Sequence, residues 1–235
     1  DVGKKLCLYG CPLHDTIKNN KENQAEVYLH HKEGHRVPVR IKTMPYHEDG
    51  VLLGAIELFL DTAPKEILQS SISHDDKHLY DPLTGLYNRY FISRKMSALT
   101  QREDIDQYCL LFVDIDDFKS INDTKGHLFG DEVLKVMSRT LKLNASNAFV
   151  IRFGGEEILI VKKVHTKEAA IQFAEKMRIL IEASEVRYDG GSYAPRASVG
   201  VTMFKMNEHY NDVINRADQA MYLAKKHGKN KTEFL

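Results

Sequence analysis

Apolar positions along the chain change rhythm near residue 80. Over residues 1–62 they fall in short β-rich runs within EVYLHHKEGHRVPVRIKTMPYHEDGVLLGAIELFLD, interrupted at Lys32-Glu33-Gly34 and His47-Glu48-Asp49-Gly50, both strong turn signals. The pattern predicts an antiparallel meander, too short to cover both faces of a sheet, which must lean on a neighbouring segment or on a second chain. Residues 61–80 are polar, with Ile67, Leu68, Ile72 and Leu79 at roughly helical intervals, and read as a connector helix whose start Asp61-Thr62 can cap. From DPLTGLYNR onward, amphipathic helices alternate with apolar strands, the texture of an α/β or α+β layered domain. Tyr108 to Val113 is apolar without alternation and stops at Asp114, as suits a strand buried on both faces. Helical periodicity follows over 131–143, 167–183 and 211–227, with strands over 196–204 and 232–235 and a hairpin around Gly154-Gly155.

Composition narrows this picture. At 235 residues the chain can hold one large or two modest domains, each with its own core. Lys plus Arg and Asp plus Glu both number 33, so no global field draws the protein to nucleic acid or to anionic lipid, and any bound anion must be held locally. Three cysteines, Cys7, Cys11 and Cys109, argue for a reducing compartment and against a disulfide framework, which makes the cytoplasm the expected location. No apolar run is long enough to span a membrane; the chain opens at Asp1 without an initiator Met, as a piece of a longer protein would, and a membrane segment upstream stays compatible with that.

Candidate chemistry gathers in two stretches. Asp114 and Asp116 stand two apart at the end of the buried strand and point to one side while the strand lasts. In IRFGGEEILI, period two sends Glu156 with Ile158 and Ile160, and Glu157 with Leu159 and Val161, so the two carboxylates have different jobs. If the hairpin lies beside the Asp114 strand, one glutamate meets Asp114 in a carboxylate cluster that would repel itself without a cation. Oxygen ligands of this kind suit Mg²⁺, which favours sites shared with substrate phosphates. The other reading of the turn is a solvated acidic hairpin tip. In DIDDFKSINDTKGHLFGDE, Lys119 can neutralise phosphate, while Asn122 and Asp131 can read a base edge, guanine offering the donor pair that a carboxylate accepts. Each also has a plainer reading, Asp131 as a helix N-cap after Gly130 and Asn122 as a turn former.

The segments DPLTGLYNR, DIDDFKSINDTKGHLFGD, RFGGEEI, SVGV and RADQAMYLAKKHGKN stand in the order and approximate spacing of the GGDEF family of diguanylate cyclases, which the chain resembles over residues 81–235. The resemblance implies an α+β fold, a palm-like central mixed sheet flanked by helices. Residues 1–62, with CPLHDTI, VYLHHKEGHRVPV and GAIELFLD, resemble the C-terminal half of a PAS sensor domain, and 63–80 would be the signalling connector. The ligand such a PAS part would sense is not legible. Members join two GTP molecules, one held by each subunit of a homodimer, into cyclic di-GMP and two pyrophosphates.

By that resemblance Asp114 and the Ile115 carbonyl bind Mg²⁺, with Mn²⁺ as a substitute, and Glu156, expected opposite Asp114, is both metal ligand and catalytic carboxylate. Glu157 takes a structural or second-metal role. Lys119 contacts phosphate, Asn122 and Asp131 read guanine with His127 on the same stretch, Gly154 and Gly155 leave room for the nucleotide, and Lys225 and Lys229 lie on the triphosphate. A general base and a metal-activated 3′-hydroxyl both fit Glu156. The sequence departs from the family in four places. Glu156 stands where aspartate is usual, Lys229 where arginine is common, and Ile158 where the signature has phenylalanine. ASNA at 145–148 replaces the Arg-x-x-Asp of the product-inhibition site, so that inhibition is expected to be absent. The competing readings are a catalytically silent module that binds GTP or cyclic di-GMP, and an enzyme that also accepts ATP.

Other signals weigh less. His30, His31 and His35 bracket a turn and read as surface or cross-strand histidines rather than a metal site. Cys7 and Cys11 read as packed or exposed thiols. Met221 and Tyr222 read as core at helical spacing. No P-loop or Gly-x-Gly-x-x-Gly motif occurs.

Overall fold

The computed structural model describes residues 10–62 and 78–235. Helix α1 (Pro12–Asn19) precedes a three-stranded antiparallel sheet of β1 (Asn23–His30), β2 (Arg36–Glu48) and β3 (Val51–Asp61), the expected meander in the order β1-β2-β3. Thr16 on α1 and Thr43 on β2 share a buried hydroxyl hydrogen bond of 2.6 Å, which ties the helix to one face of the sheet. Asp61 pairs with Val39 as the last residue of β3, because the apolar GAIELFL run carries the ladder one residue past Leu60. The rest of the expected connector helix, 63–77, lies outside the described residues.

The larger layer is a five-stranded sheet in the order β10-β9-β4-β6-β5. It comprises β4 (Tyr108–Ile115), β5 (Ala148–Arg152), β6 (Glu157–Lys163), β9 (Ala197–Met203) and β10 (Thr232–Phe234). Only β10 and β9 run parallel, which makes the sheet mixed. Strand β4 is central and buried almost throughout, as its unbroken apolar run predicts. Its alternate residues feed two cores. Cys109, Leu111, Val113 and Ile115 pack with α4 (His127–Asn144) and α5 (Lys167–Glu182), while Leu110 and Phe112 pack with α2 (Arg89–Thr100) and α6 (Tyr210–Lys226). Helices therefore flank both faces, the α+β arrangement expected. Helix α2 and the small β7 (Val186–Tyr188) and β8 (Gly191–Tyr193) hairpin were not read individually from the periodicity. Met221 is core, but Tyr222 is exposed, one residue round the helix and on its outer face.

The meander leans on this layer, as its size demands. Gly34, in the β1–β2 turn, has φ +90 and sits so close to Glu185 that a Cβ would fall 1.6 Å from its carbonyl oxygen; Glu185 N donates to Gly34 O at 2.9 Å. Arg36 Nε donates to Ala183 O at 2.8 Å, and Asn144 Nδ2 donates to Arg36 O at 2.9 Å. His35 is buried there, not on the surface, and burial beside His31 and Arg139 pushes its imidazole down to about 4.

Candidate active site

The chain turns sharply at the end of β4. Asp116 accepts from Ser198 Oγ at 2.7 Å and from Asn230 N at 2.9 Å, and Asp117, with φ +58, opens helix α3 (Phe118–Lys125). The even-numbered side of β4 that packs on α6 carries Asp114 to the layer's edge, where it is 5% exposed. Its register partner is Glu157, not Glu156. The alternation read from sequence holds, since Ile158 and Ile160 enter one core and Leu159 and Val161 the other. Glu156 opposite Asp114 is therefore corrected: β6 begins at Glu157, and Glu156 belongs to the turn before it.

Both glutamates are still coupled to Asp114. Burial pushes the Asp114 carboxyl up, Lys225 pulls it down, and Glu156 and Asp116 push it further up, leaving it raised. Glu157 is raised as well, first by burial and then by Asp114, Glu156 and Asp218. Lys225 Nζ lies 2.6 Å from Asp114 Oδ1, yet that oxygen is buried with no hydrogen bond of proper geometry. One ammonium thus faces several acids around a buried, incompletely satisfied carboxylate oxygen. An oxygen-binding divalent cation fits this donor set, and Asp114, the Ile115 carbonyl and Glu156 are the groups that would hold it.

The remaining predicted residues lie on α3, on α4, in the turn before β6 and just past α6. Asn122 on α3 lies over Gly130 of α4, where a Cβ would come 2.0 Å from Asn122 Oδ1, so Asn122 sits one residue away from Asp131 across the elbow. Asp131 is inside α4, whose N-cap is Gly126, which excludes the capping alternative; Asn122 is helical, which excludes the turn-former one. Lys119 and His127 are exposed on the outer side of α3 and at the first turn of α4. Gly154 is covered by the Glu157 carboxylate, while Gly155 faces open space. Lys229, with φ +61, places Nζ 2.5 Å from Asp117 Oδ1.

Two supports were not read from the sequence. Arg152 Nη1 reaches both oxygens of Asp81 at 3.0 and 3.1 Å, and its Nε and Nη2 donate to the Gly154 and Gly155 carbonyls at 2.8–3.2 Å. One guanidinium thereby holds the signature turn to the DPLTG segment, and the arginine that opens RFGGEE, two residues before the glycines, was the available signal. Asn230 accepts from Arg178 Nη1 and donates to Glu182 Oε1, both at 2.8 Å, which pins the Lys229 loop to α5. Nothing in the spacing announces that pairing across 52 residues.

A model of the family described as "Diguanylate cyclase, GGDEF domain" matches residues 78–231, and the chain belongs to that family. Among curated proteins it is similar to diguanylate cyclase DgcP of Pseudomonas aeruginosa, 41% identical over 160 residues that make up 67% of this chain and 24% of that protein. It is also 34% identical to diguanylate cyclase DosC of Escherichia coli, over 65% of this chain and 34% of that protein. The chain thus spans about a quarter to a third of these relatives. Among solved structures it resembles diguanylate cyclase SiaD of P. aeruginosa in complex with its activator SiaC, with TM-score 0.64, 33% identity and 68% and 63% of the two chains covered. The coiled coil and GGDEF domain of DgcB from Caulobacter crescentus, in complex with c-di-GMP, gives TM-score 0.62 at 26% identity over 67% and 85% of the chains.

Proposed function

We propose that residues 81–235 form the catalytic domain of a diguanylate cyclase that condenses two GTP into cyclic di-GMP and two pyrophosphates. The observation that carries this reading is the convergence, in a GGDEF-family domain, of Asp114, Glu156, Glu157 and Lys225 at one sheet edge beside the Asn122–Asp131 elbow. Relatives named diguanylate cyclase support it.

In each half-reaction the 3′-oxygen of one GTP bonds to the α-phosphorus of the other as the bond from that phosphorus to the pyrophosphate oxygen breaks. A divalent cation, Mg²⁺ with Mn²⁺ as substitute, would when bound offset the negative charge that gathers on the phosphates. The chain's own groups orient the reactants. Asn122 and Asp131 hold guanine, Lys119 and Lys229 meet phosphate with His127 alongside, and Gly155 admits the nucleotide. Lys225 leaves Asp114 to join the triphosphate. Glu156, free of the strand ladder, takes the proton of the attacking hydroxyl. Each domain holds one GTP, so the working unit is a homodimer, with no nucleic acid or membrane surface required. Among the described residues no helix is long and apolar enough to cross a membrane.

Residues 1–62 are read as the second half of a PAS module, and 63–80 as the connector that sets how often two half-sites meet. The location expected for such a protein is the cytoplasm. The test is incubation of the purified chain with GTP and Mg²⁺ followed by chromatography. Cyclic di-GMP should form, and Glu156→Gln should lower turnover by about 10²–10⁴-fold. GTP bound without product at every protein concentration would favour the silent-module reading instead.

A further inference from the structure

The three described side chains whose metal-ligating atoms come within 4.8 Å of one another are not at the sheet edge. They are His31, Glu33 and His35, in the β1–β2 turn. We propose that these three residues bind a divalent cation of the Zn²⁺ class, clamping the turn where the meander meets the larger layer.

The backbone prearranges the donors. His31 N donates to His35 O at 2.9 Å and Gly34 N donates to His31 O at 2.8 Å, closing the turn, while Glu185 anchors Gly34 from the other side. The imidazoles of His31 and His35 stack with centroids 4.4 Å apart. His35 is 6% exposed, and its Nδ1 is buried with no hydrogen-bond partner. A buried ring nitrogen without a partner is costly, and coordination would satisfy it. Two imidazoles and one carboxylate form a donor set suited to Zn²⁺, with the fourth position open to water. Bonds of about 2.0–2.1 Å put tetrahedral ligands roughly 3.4 Å apart, so the donors close in by rotation of side chains on a fixed turn. Arg139 Nη1 holds Glu33 Oε2 from α4; Glu33 can offer its other oxygen to the cation while that pair persists. The cation would thus fasten the β1–β2 turn, which the Arg139–Glu33 pair links to α4, through residues that take no part in the cyclase reading.

The test is calorimetric titration of Zn²⁺ into the chain, free of any polyhistidine tag and in excess Mg²⁺. The wild type and Asp114→Asn should each take up one tight equivalent. His31→Ala and Glu33→Gln, both changes at solvent-accessible positions, should weaken that equivalent by at least about tenfold, since even outer-shell losses cost 10–100-fold. Co²⁺ in place of Zn²⁺ should give the visible absorption of a four-coordinate nitrogen and oxygen site, lost in His31→Ala. Uptake indifferent to His31→Ala and Glu33→Gln, uptake removed by Asp114→Asn, or no uptake at all would each overturn the proposal.

Discussion

Glu156 and Glu157 are neighbours in sequence with different surroundings. Glu157 is the first residue of β6, so the ladder points it at Asp114 and under the field of Asp218 and Glu156. Its folded carboxyl therefore sits above the usual 4.5, chiefly from burial. A carboxyl raised in the folded state costs stability once it ionises: the cost is absent below the unfolded value and fully present above the folded one. Glu157→Gln should accordingly raise Tm at neutral pH by roughly 1–3 °C, and the gain over wild type should shrink as pH falls toward 4.5, as a thermal melt series would show. Asp81 has the opposite sign. Burial raises its carboxyl, but hydrogen bonds from Thr84 and Arg152 outweigh that and leave it lowered, so its contribution is present at neutral pH and lost as pH falls through the lowered value. At this scale the alternation read from the sequence separated the two glutamates correctly. The sequence reading misassigned which glutamate faces Asp114, because the alternation is legible and the residue at which the strand starts is not.

Among the elements, α6 has the most to do with placing the site. It lies on β9 at Gly200, where a Cβ would fall 2.0 Å from Ala217 O and 2.2 Å from Met221 N. This contact sets the height of the helix over the sheet and hence the reach of Lys225 to Asp114. Gly200→Ala must push α6 outward. It should destabilise the fold by about 1–3 kcal/mol in denaturant unfolding and lower turnover more than Lys225's own charge would explain. The glycine of SVGV is visible in the sequence, but that it bears a helix backbone is decided by the packing of elements 17–21 residues apart. The helix periods over 131–143, 167–183 and 211–227 were legible, with ends displaced by no more than four residues, since amphipathic stripes report a buried face and not a cap. Helix α2 was missed individually because its apolar stripe is thin, only Phe91, Ile92 and Met96 being buried.

At the scale of the whole molecule, the proposed two-subunit mechanism would make specific activity depend on concentration. Turnover per chain should rise with protein concentration and level off once the dimer is saturated, as measured by product formed across a dilution series. Added cyclic di-GMP should leave turnover unchanged at concentrations that inhibit relatives carrying Arg-x-x-Asp, because Ala145 to Ala148 offers neither guanidinium nor carboxylate; strong inhibition with ligand bound near Ala145 would refute this. The sequence by itself determined the antiparallel meander, the buried central strand, the α+β layering and the family, because each rests on local period or on motifs contiguous in the chain. Tertiary structure alone decided that Glu157 registers with Asp114, that Arg152 and Asn230 hold the site's two loops, and that His35 is buried against the neighbouring layer. Those are contacts between segments tens of residues apart. Their partners are chosen by which faces the packed sheet brings together, and no local pattern records that choice.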